Sequence, residues 1–446
     1  MPVVSLALLC TTLTLLGAEW TGPIFILSVG ILVGLFLTTL CVEGQEREFV
    51  ISVFLSAIAA RICFILPFYI LSYAGRSARP GYFFANDGIA YSENGWQIAK
   101  IWAKGLPLDS KALFITQTGT SPHAYDFWNA FVYSFTGRSP IGLYFINALV
   151  GAVSSLLVYM FARRYFGLRA ARIALVLSAF WPSLFFWSTQ NLRDPLINMA
   201  IFLLIWSLVE ARRGLNVLFL ILAGAAIYLL RNFRLQVLLP IFCVVCFWLI
   251  WTARSRYLLI ASLIGAQLLL TLLRNTEGVG VEHMLRHLVL EPSVAPHFSP
   301  PLDAPLLNWL HYLRSVRASG QSAFLPDILL DVPGRVFFFM PLILSYGILA
   351  PFPWQVGSAF FLIGAVEMTA FYLCIPFIVK GYLKCRQEDY SLTLLMLLLF
   401  LSFSVLLAMI DSNLGILFRH RSMTLYFVLI FLAAGLSFTG DKGRVA

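Results

Sequence analysis

Charge is what this chain has least of. Only 12% of its 446 residues are Asp, Glu, Lys or Arg, about half of the ~25% found in soluble domains. That shortage excludes a water-solvated surface over most of the length. Short alternating strands are also lacking, which excludes a membrane barrel. No glycine-rich phosphate loop, nucleotide-binding fold or Ser-His-Asp signature occurs, so a cytosolic nucleotide is not expected to be bound in the usual way. No internal repeat is obvious, which weakly disfavours transporters built from paired halves. There is no low-complexity stretch and no charged tail.

What fills the chain instead is apolar: 60% of residues are hydrophobic and 15% aromatic. Apolar runs recur along nearly the whole length, each long enough to cross a ~30 Å hydrocarbon core as a helix. Backbone amides cannot stay unpaired in lipid, so helices are the expected solution. The expected fold class is all-α, a polytopic integral membrane helical bundle of about 12 spans forming one domain over 1–446. The spans are 3–19, 22–42, 49–74, 139–162, 171–189, 194–211, 215–230, 234–252, 256–273, 356–379, 390–410 and 416–437. The run 335–352, which ends in Ala350-Pro351-Phe352-Pro353-Trp354, is expected to be re-entrant. The start, Met1-Pro2-Val3-Val4, has no basic region, so 3–19 is taken as a helix rather than a signal peptide.

The net charge of +10 would suggest nucleic acid in a soluble protein. Here the basic residues sit in short loops: Arg163 and Arg164, Arg212 and Arg213, Arg254 and Arg256, Lys380 and Lys384, Lys442 and Arg444. With 12 spans they share one side with both termini, which the positive-inside rule makes the cytoplasm. No nucleic-acid partner is expected. Two long loops, about 75–138 and 274–334, then lie outside. None of the seven cysteines falls in them, so no disulfides are expected, and Cys243 and Cys246 are expected to pack as buried apolar groups.

Polar residues near lipid narrow the function. Asp87-Gly88 opens a stretch in which Tyr91, Trp96, Ile98 and Trp102 suit an amphipathic helix on the membrane surface. Asp87 either caps that helix or offers a carboxylate at the water–lipid boundary. Three arginine groups should meet the outer boundary: Arg193, then Arg231 and Arg234, then Arg419 and Arg421 flanking His420. They either snorkel to lipid phosphates or converge on one anionic headgroup, which guanidinium grips bidentately. Arg61 and Glu367, each inside a span, would cost about 2.5–3.5 kcal/mol alone, so pairing or a shared polar cavity is expected. Glu282-His283 with His287 has metal-site spacing without the rest of a zincin signature.

From Asp87 to about Leu208 the chain resembles the C-type (GT-C) membrane glycosyltransferases, the group of protein O-mannosyltransferases and the lipid A aminoarabinose transferase. The residues that carry the likeness are Asp87, Tyr91 and Gly105, Tyr125-Asp126-Phe127-Trp128, Thr136-Gly137-Arg138-Ser139-Pro140, Asn147, and Trp181-Pro182-Ser183 to Asn191-Leu192-Arg193-Asp194-Pro195. Asn413-Leu414-Gly415 through Arg419-His420-Arg421 is similar to the family's arginine-bearing last helix. The resemblance implies transfer of a sugar from a polyprenyl-phosphate donor to a lipid, glycan or protein acceptor on the extracytoplasmic face of a bacterial inner membrane. It makes Asp87 the catalytic base or an acceptor-orienting carboxylate, with Glu93 the nearest alternative. Arg193, Arg231, Arg234, Arg419 and Arg421 become the candidate phosphate ligands, and Tyr91 and His420 substrate-binding candidates. A phosphate leaving group needs no protonating acid, so one carboxylate and a few cations suffice. Some members carry a second acid beside the Asp, where this chain has Asn86 and Gly88. No cofactor is implied, and metal-independent chemistry is the reading, although Asp87, Asp109, Asp126, Glu282 and Asp303 could serve a divalent cation. The rivals are a flippase for a lipid-linked saccharide, which would use the same arginines and need no base, and a polysaccharide polymerase or ligase.

Overall fold

The structure, a computed structural model, describes residues 18–42, 44–74, 81–84, 87–105, 124–214, 216–252, 332–355 and 359–437, with short pieces between 311 and 330. Nearly all of the expected span 3–19, the span 256–273 and most of the second outer loop lie outside these residues. So do Cys10, Asp109, Glu282, His283, His287, His297 and Asp303.

The chain folds as two compact units, one of residues 1–164 with 171–203 and the other of residues 165–170 with 204–446. Unit 1 holds α1 (Ala18–Cys41), α2 (Gln45–Ala74), α3 (Asp87–Ala103), α4 (Ala124–Thr136) and most of α5 (Pro140–Phe166). It also takes most of α6 (Leu168–Phe180), all of α7 (Pro182–Ser188) and the first half of α8 (Asp194–Arg213). Prolines open α5 and α7 and follow the first residue of α8, where a missing N–H costs nothing. The same property breaks the expected span 171–189: Pro182 withholds its N–H, and α6 and α7 meet at 51°. Ile98 and Ala99 of α3, Ala130, Val132 and Tyr133 of α4 and Leu143 of α5 form a shared apolar cluster. Arg172 grips Glu46 through two guanidinium nitrogens, an exposed pair worth at most about 1 kcal/mol.

Unit 2 holds the rest of α8, then α9 (Val217–Arg234), a 3-10 turn at Leu235–Val237 and α10 (Leu238–Thr252). After these come α11 (Pro333–Leu349), α12 (Ala359–Glu388), α13 (Tyr390–Ile410) and α14 (Leu414–Ser437). Almost every residue of α14 is buried, which makes it the centre of this unit. Asp389 caps α13 by accepting from the Leu392 amide at 2.9 Å, and it pairs with Arg213 at 3.0 Å. Where α12 crosses α14, Gly381 faces the Phe431 carbonyl and Gly435 faces the Phe377 carbonyl, with no room for a Cβ on either glycine. This is the close approach that small residues allow between membrane helices.

Among the described residues, eight helices are long and apolar enough to cross a membrane, or nine when α6 and α7 count as one. The expected total of about 12 includes two runs, 3–19 and 256–273, that lie nearly or wholly outside these residues. Besides the runs that lie outside the described residues, the difference is the pair 215–230 and 234–252. These do not form a hairpin. Arg234 leaves helical geometry (φ −163°, ψ 77°) for a single 3-10 turn, and Val217–Thr252 continues as one 36-residue element. The sequence Arg231-Asn232-Phe233-Arg234 has no glycine or proline to reverse the chain, and the helix on either side propagates at little cost. Arg231 and Arg234 thus sit within a long element and not in a boundary loop. A second correction concerns Cys243, which is exposed, and Cys246, which is half-buried. Their helix turns that side outward instead of packing it.

Candidate functional site

Asp87 is exposed and is the first residue of α3. A carboxylate there lies at the positive end of the helix dipole, a favourable place for a negative charge. The helix is the one expected from its apolar spacing, but its buried face is different. Gly88, Tyr91, Ser92, Asn94, Gly95, Ile98 and Ala99 are covered, and α4 supplies much of that cover through the shared cluster. Trp96 and Trp102 stay partly buried at its edge.

A buried polar network holds the base of this helix. The Gly88 carbonyl accepts from Asn191 Nδ2 at 2.9 Å, and Tyr125 donates to Asn191 Oδ1 at 3.1 Å. Asn147, on α5, holds its amide nitrogen, with two hydrogens to share, within hydrogen-bond reach of Tyr125 Oη (3.0 Å), Gln190 O (2.6 Å) and Leu192 O (2.9 Å). Tyr91 meets Tyr125 edge to face at 5.1 Å. A Cβ on residue 88 would stand 2.8 Å from the Asn191 carbonyl, so only glycine lets the two segments approach this closely. The turn 189–193 therefore lies against the first turn of α3. That turn carries Arg193, which is half-buried, just before the buried Asp194. Residues ahead of Asp87 are tied down by a hydroxyl chain in which Tyr82 meets Ser92 at 2.6 Å and Ser92 meets Tyr133. Burial pushes both phenols above their ordinary range, against the hydrogen bonds from Ser92 that pull the other way. They remain protonated and able to donate.

Glu93 is not presented in the same way. Both of its oxygens accept from Arg138, at 2.7 and 3.0 Å. Arg61 donates to Ser188 Oγ at 2.8 Å and to Ala57 O at 3.0 Å, all within unit 1.

The other candidates lie in unit 2. Arg231 is exposed and Arg419 half-buried. Arg421 is buried and donates to the carbonyls of Ile348 (3.0 Å) and Ala350 (2.7 Å), so it caps the C-terminus of α11. Its other terminal nitrogen has no partner among the described residues, and Glu367 acts on it electrostatically from α12. Arg234 and His420 line a pocket with Phe403, Leu407, Ile410 and Met423. Arg234 Nη2 donates to His420 Nε2, and His420 Nδ1 lies 2.8 Å from Asp411 Oδ2. Among the described residues no three His, Cys, Asp or Glu side chains are grouped as a metal site.

Three residues that matter here were not singled out on chemistry by sequence reasoning. Asn147 carries a signal that could have found it, since an amide inside an apolar run needs partners and is kept for what it binds. Arg138, the partner of Glu93, and Asp411, the partner of His420, carry none, because nothing local marks which side chain each will meet. Replacing Asn147 by Leu is expected to cost about 3 kcal/mol by leaving buried carbonyls unmade. It should also loosen the turn bearing Arg193, read as a lower melting temperature and faster amide exchange at 189–193.

A comparison with curated proteins gave no match. Residues 121–274 match the family described as dolichyl-phosphate-mannose-protein mannosyltransferase. The matched stretch runs from just before α4 to beyond α10, so it includes Arg193, Arg231 and Arg234 but neither Asp87 nor Arg419, His420 and Arg421. Over this part the chain is similar to that family, as its sequence motifs lead one to expect.

Proposed function

We propose that this protein transfers a sugar from a polyprenyl-phosphate donor to an acceptor hydroxyl at the extracytoplasmic face of the inner membrane, with Asp87 as the base. The observation that carries the reading is the presentation of Asp87: an exposed carboxylate on a helix whose base is locked by Gly88, Asn191, Tyr125 and Asn147. A general base needs this combination of access and fixed position. Asp87 takes the acceptor proton as the acceptor oxygen bonds to the anomeric carbon. The bond from that carbon to the phosphate oxygen breaks, and the phosphate departs with the electron pair. Arg193, on the turn packed against Gly88, is the unit 1 cation that neutralises it. Unit 2 carries its own lipid-phosphate contact at Arg234, whose pocket joins one guanidinium to apolar walls.

The test is transfer of labelled sugar from a polyprenyl-phosphate donor in reconstituted vesicles, comparing the native protein with Asp87→Asn. Transfer lost in the variant with donor still bound supports the reading. Donor crossing the bilayer without transfer, equally in both, would make the protein a flippase. Glu93→Gln separates the two carboxylates. Its loss removes only a partly exposed pair with Arg138, so transfer should stay within about threefold of native.

A further inference from the structure

Arginine has five donors and no acceptor. The contact between Arg234 Nη2 and His420 Nε2 therefore requires Nε2 to carry a lone pair. A neutral imidazole with a bare Nε2 bears its proton on Nδ1, and Nδ1 points at Asp411 Oδ2 from 2.8 Å. The order of charges is thus a guanidinium, a neutral ring and a carboxylate. All three side chains are buried: Arg234 at 8% exposure, His420 at 6% and Asp411 at 0%. Behind Asp411 stands Arg314, also buried, which donates to the Ala408 carbonyl at 2.9 Å and whose charge acts on the carboxylate. Burial pushes the pKa of Arg314 down to about 10, with Asp411 opposing, so it stays cationic at neutral pH and favours the ionised carboxylate.

We propose that Asp411 is a positioning residue that fixes His420 in its Nδ1–H form, so that Nε2 holds the Arg234 guanidinium at the wall of the unit 2 pocket for a lipid phosphate. The proposal rests on reading Arg234 as a phosphate ligand. The pocket gives that ligand a reason to be amphiphilic, since Phe403, Leu407, Ile410 and Met423 line it beside the one guanidinium. An arginine left to its own rotamers would lose side-chain entropy on binding, and an arginine already held does not. The tautomer matters because the alternative, with hydrogen on Nε2, would set two donors face to face and expel Arg234. An Asn at 411 offers His420 either an acceptor or a donor and so no longer dictates the choice.

The experiment uses the full chain in nanodiscs with 15N-labelled histidine, the His420 signals being assigned by their absence in His420→Gln. Native protein should show a protonated Nδ1 and a bare Nε2. Asp411→Asn should populate the Nε2–H form and weaken binding of polyprenyl phosphate about tenfold, the scale of one charge-assisted hydrogen bond. His420→Gln, whose amide can donate to Asp411 and accept from Arg234 at once, should retain binding where His420→Leu does not. A native Nε2–H ring would overturn the proposal. So would native-like binding in Asp411→Asn when Arg234→Ala has lost it. Unchanged binding in Arg234→Ala would instead overturn the phosphate role of Arg234, an outcome kept apart because the nitrogen spectra are recorded without ligand.

Discussion

Asp87→Asn is expected to lower sugar transfer by a factor of about 100 or more, the range over which a positioned base contributes. The variant is close to isosteric. Asn is as acceptable as Asp at a helix start, and the lost interaction with the dipole is worth at most about 1 kcal/mol. Melting temperature and donor affinity should therefore hardly move, because the hydrogen bond that locks the first turn of α3 is made by the Gly88 backbone carbonyl, which the substitution leaves in place. The effect should fall on turnover, since proton acceptance is needed only as the acceptor bond forms. Steady-state rates with labelled donor, paired with equilibrium donor binding, separate the two. Equal turnover would remove Asp87 from the mechanism.

The largest loss of stability is expected at the crossing of α12 and α14. In Gly435→Val the new side chain would meet the Phe377 carbonyl and the Gly381 backbone directly. Neither neighbour is the free end of a flexible side chain, so the helices themselves must separate. Overpacking of this kind costs about 3 kcal/mol, and more where backbone is displaced. Because α14 is buried along nearly its whole length, the strain should spread to the elements around it. Thermal unfolding of the variant in detergent should show the drop, and Gly381→Val should reproduce it. The double variant should cost less than the sum, because the first substitution already parts the helices.

The apolar runs made most of the helices legible, because in lipid each run long enough to cross must satisfy its own backbone. The helix at Asp87 could be read for the same kind of reason: Tyr91, Ile98 and the tryptophans repeat at helical spacing. What lay beneath it could not be read. Gly88, Asn94 and Gly95 look like weaknesses in a helix until α4 and the turn at Asn191 supply the partners that need them. The stretch Arg231–Arg234 misled because charge was taken as a sign of a membrane boundary, whereas chain reversal is decided by turn residues that are missing there. His420 stood out as a polar residue in the last helix. Its meaning depends on Arg234, 186 residues away, and on Asp411, and no local pattern encodes such distances.

The span between Gly88 and Asn191 also fixes when the protein can first work. The hydrogen bond between them joins residues 103 positions apart, and the Arg61–Ser188 bond joins residues 127 apart. At about 5–20 residues per second, the helix that begins with Asp87 leaves the ribosome some 5–20 seconds before the segment that locks it. During that interval α4 can already cover Asn94, Gly95 and Ile98, while the first turn at Gly88 still waits for Asn191. A nascent chain stalled with Asn191 still inside the ribosome should therefore leave the first turn of α3 open to protease, and one stalled well beyond the emergence of Asn191 should protect it.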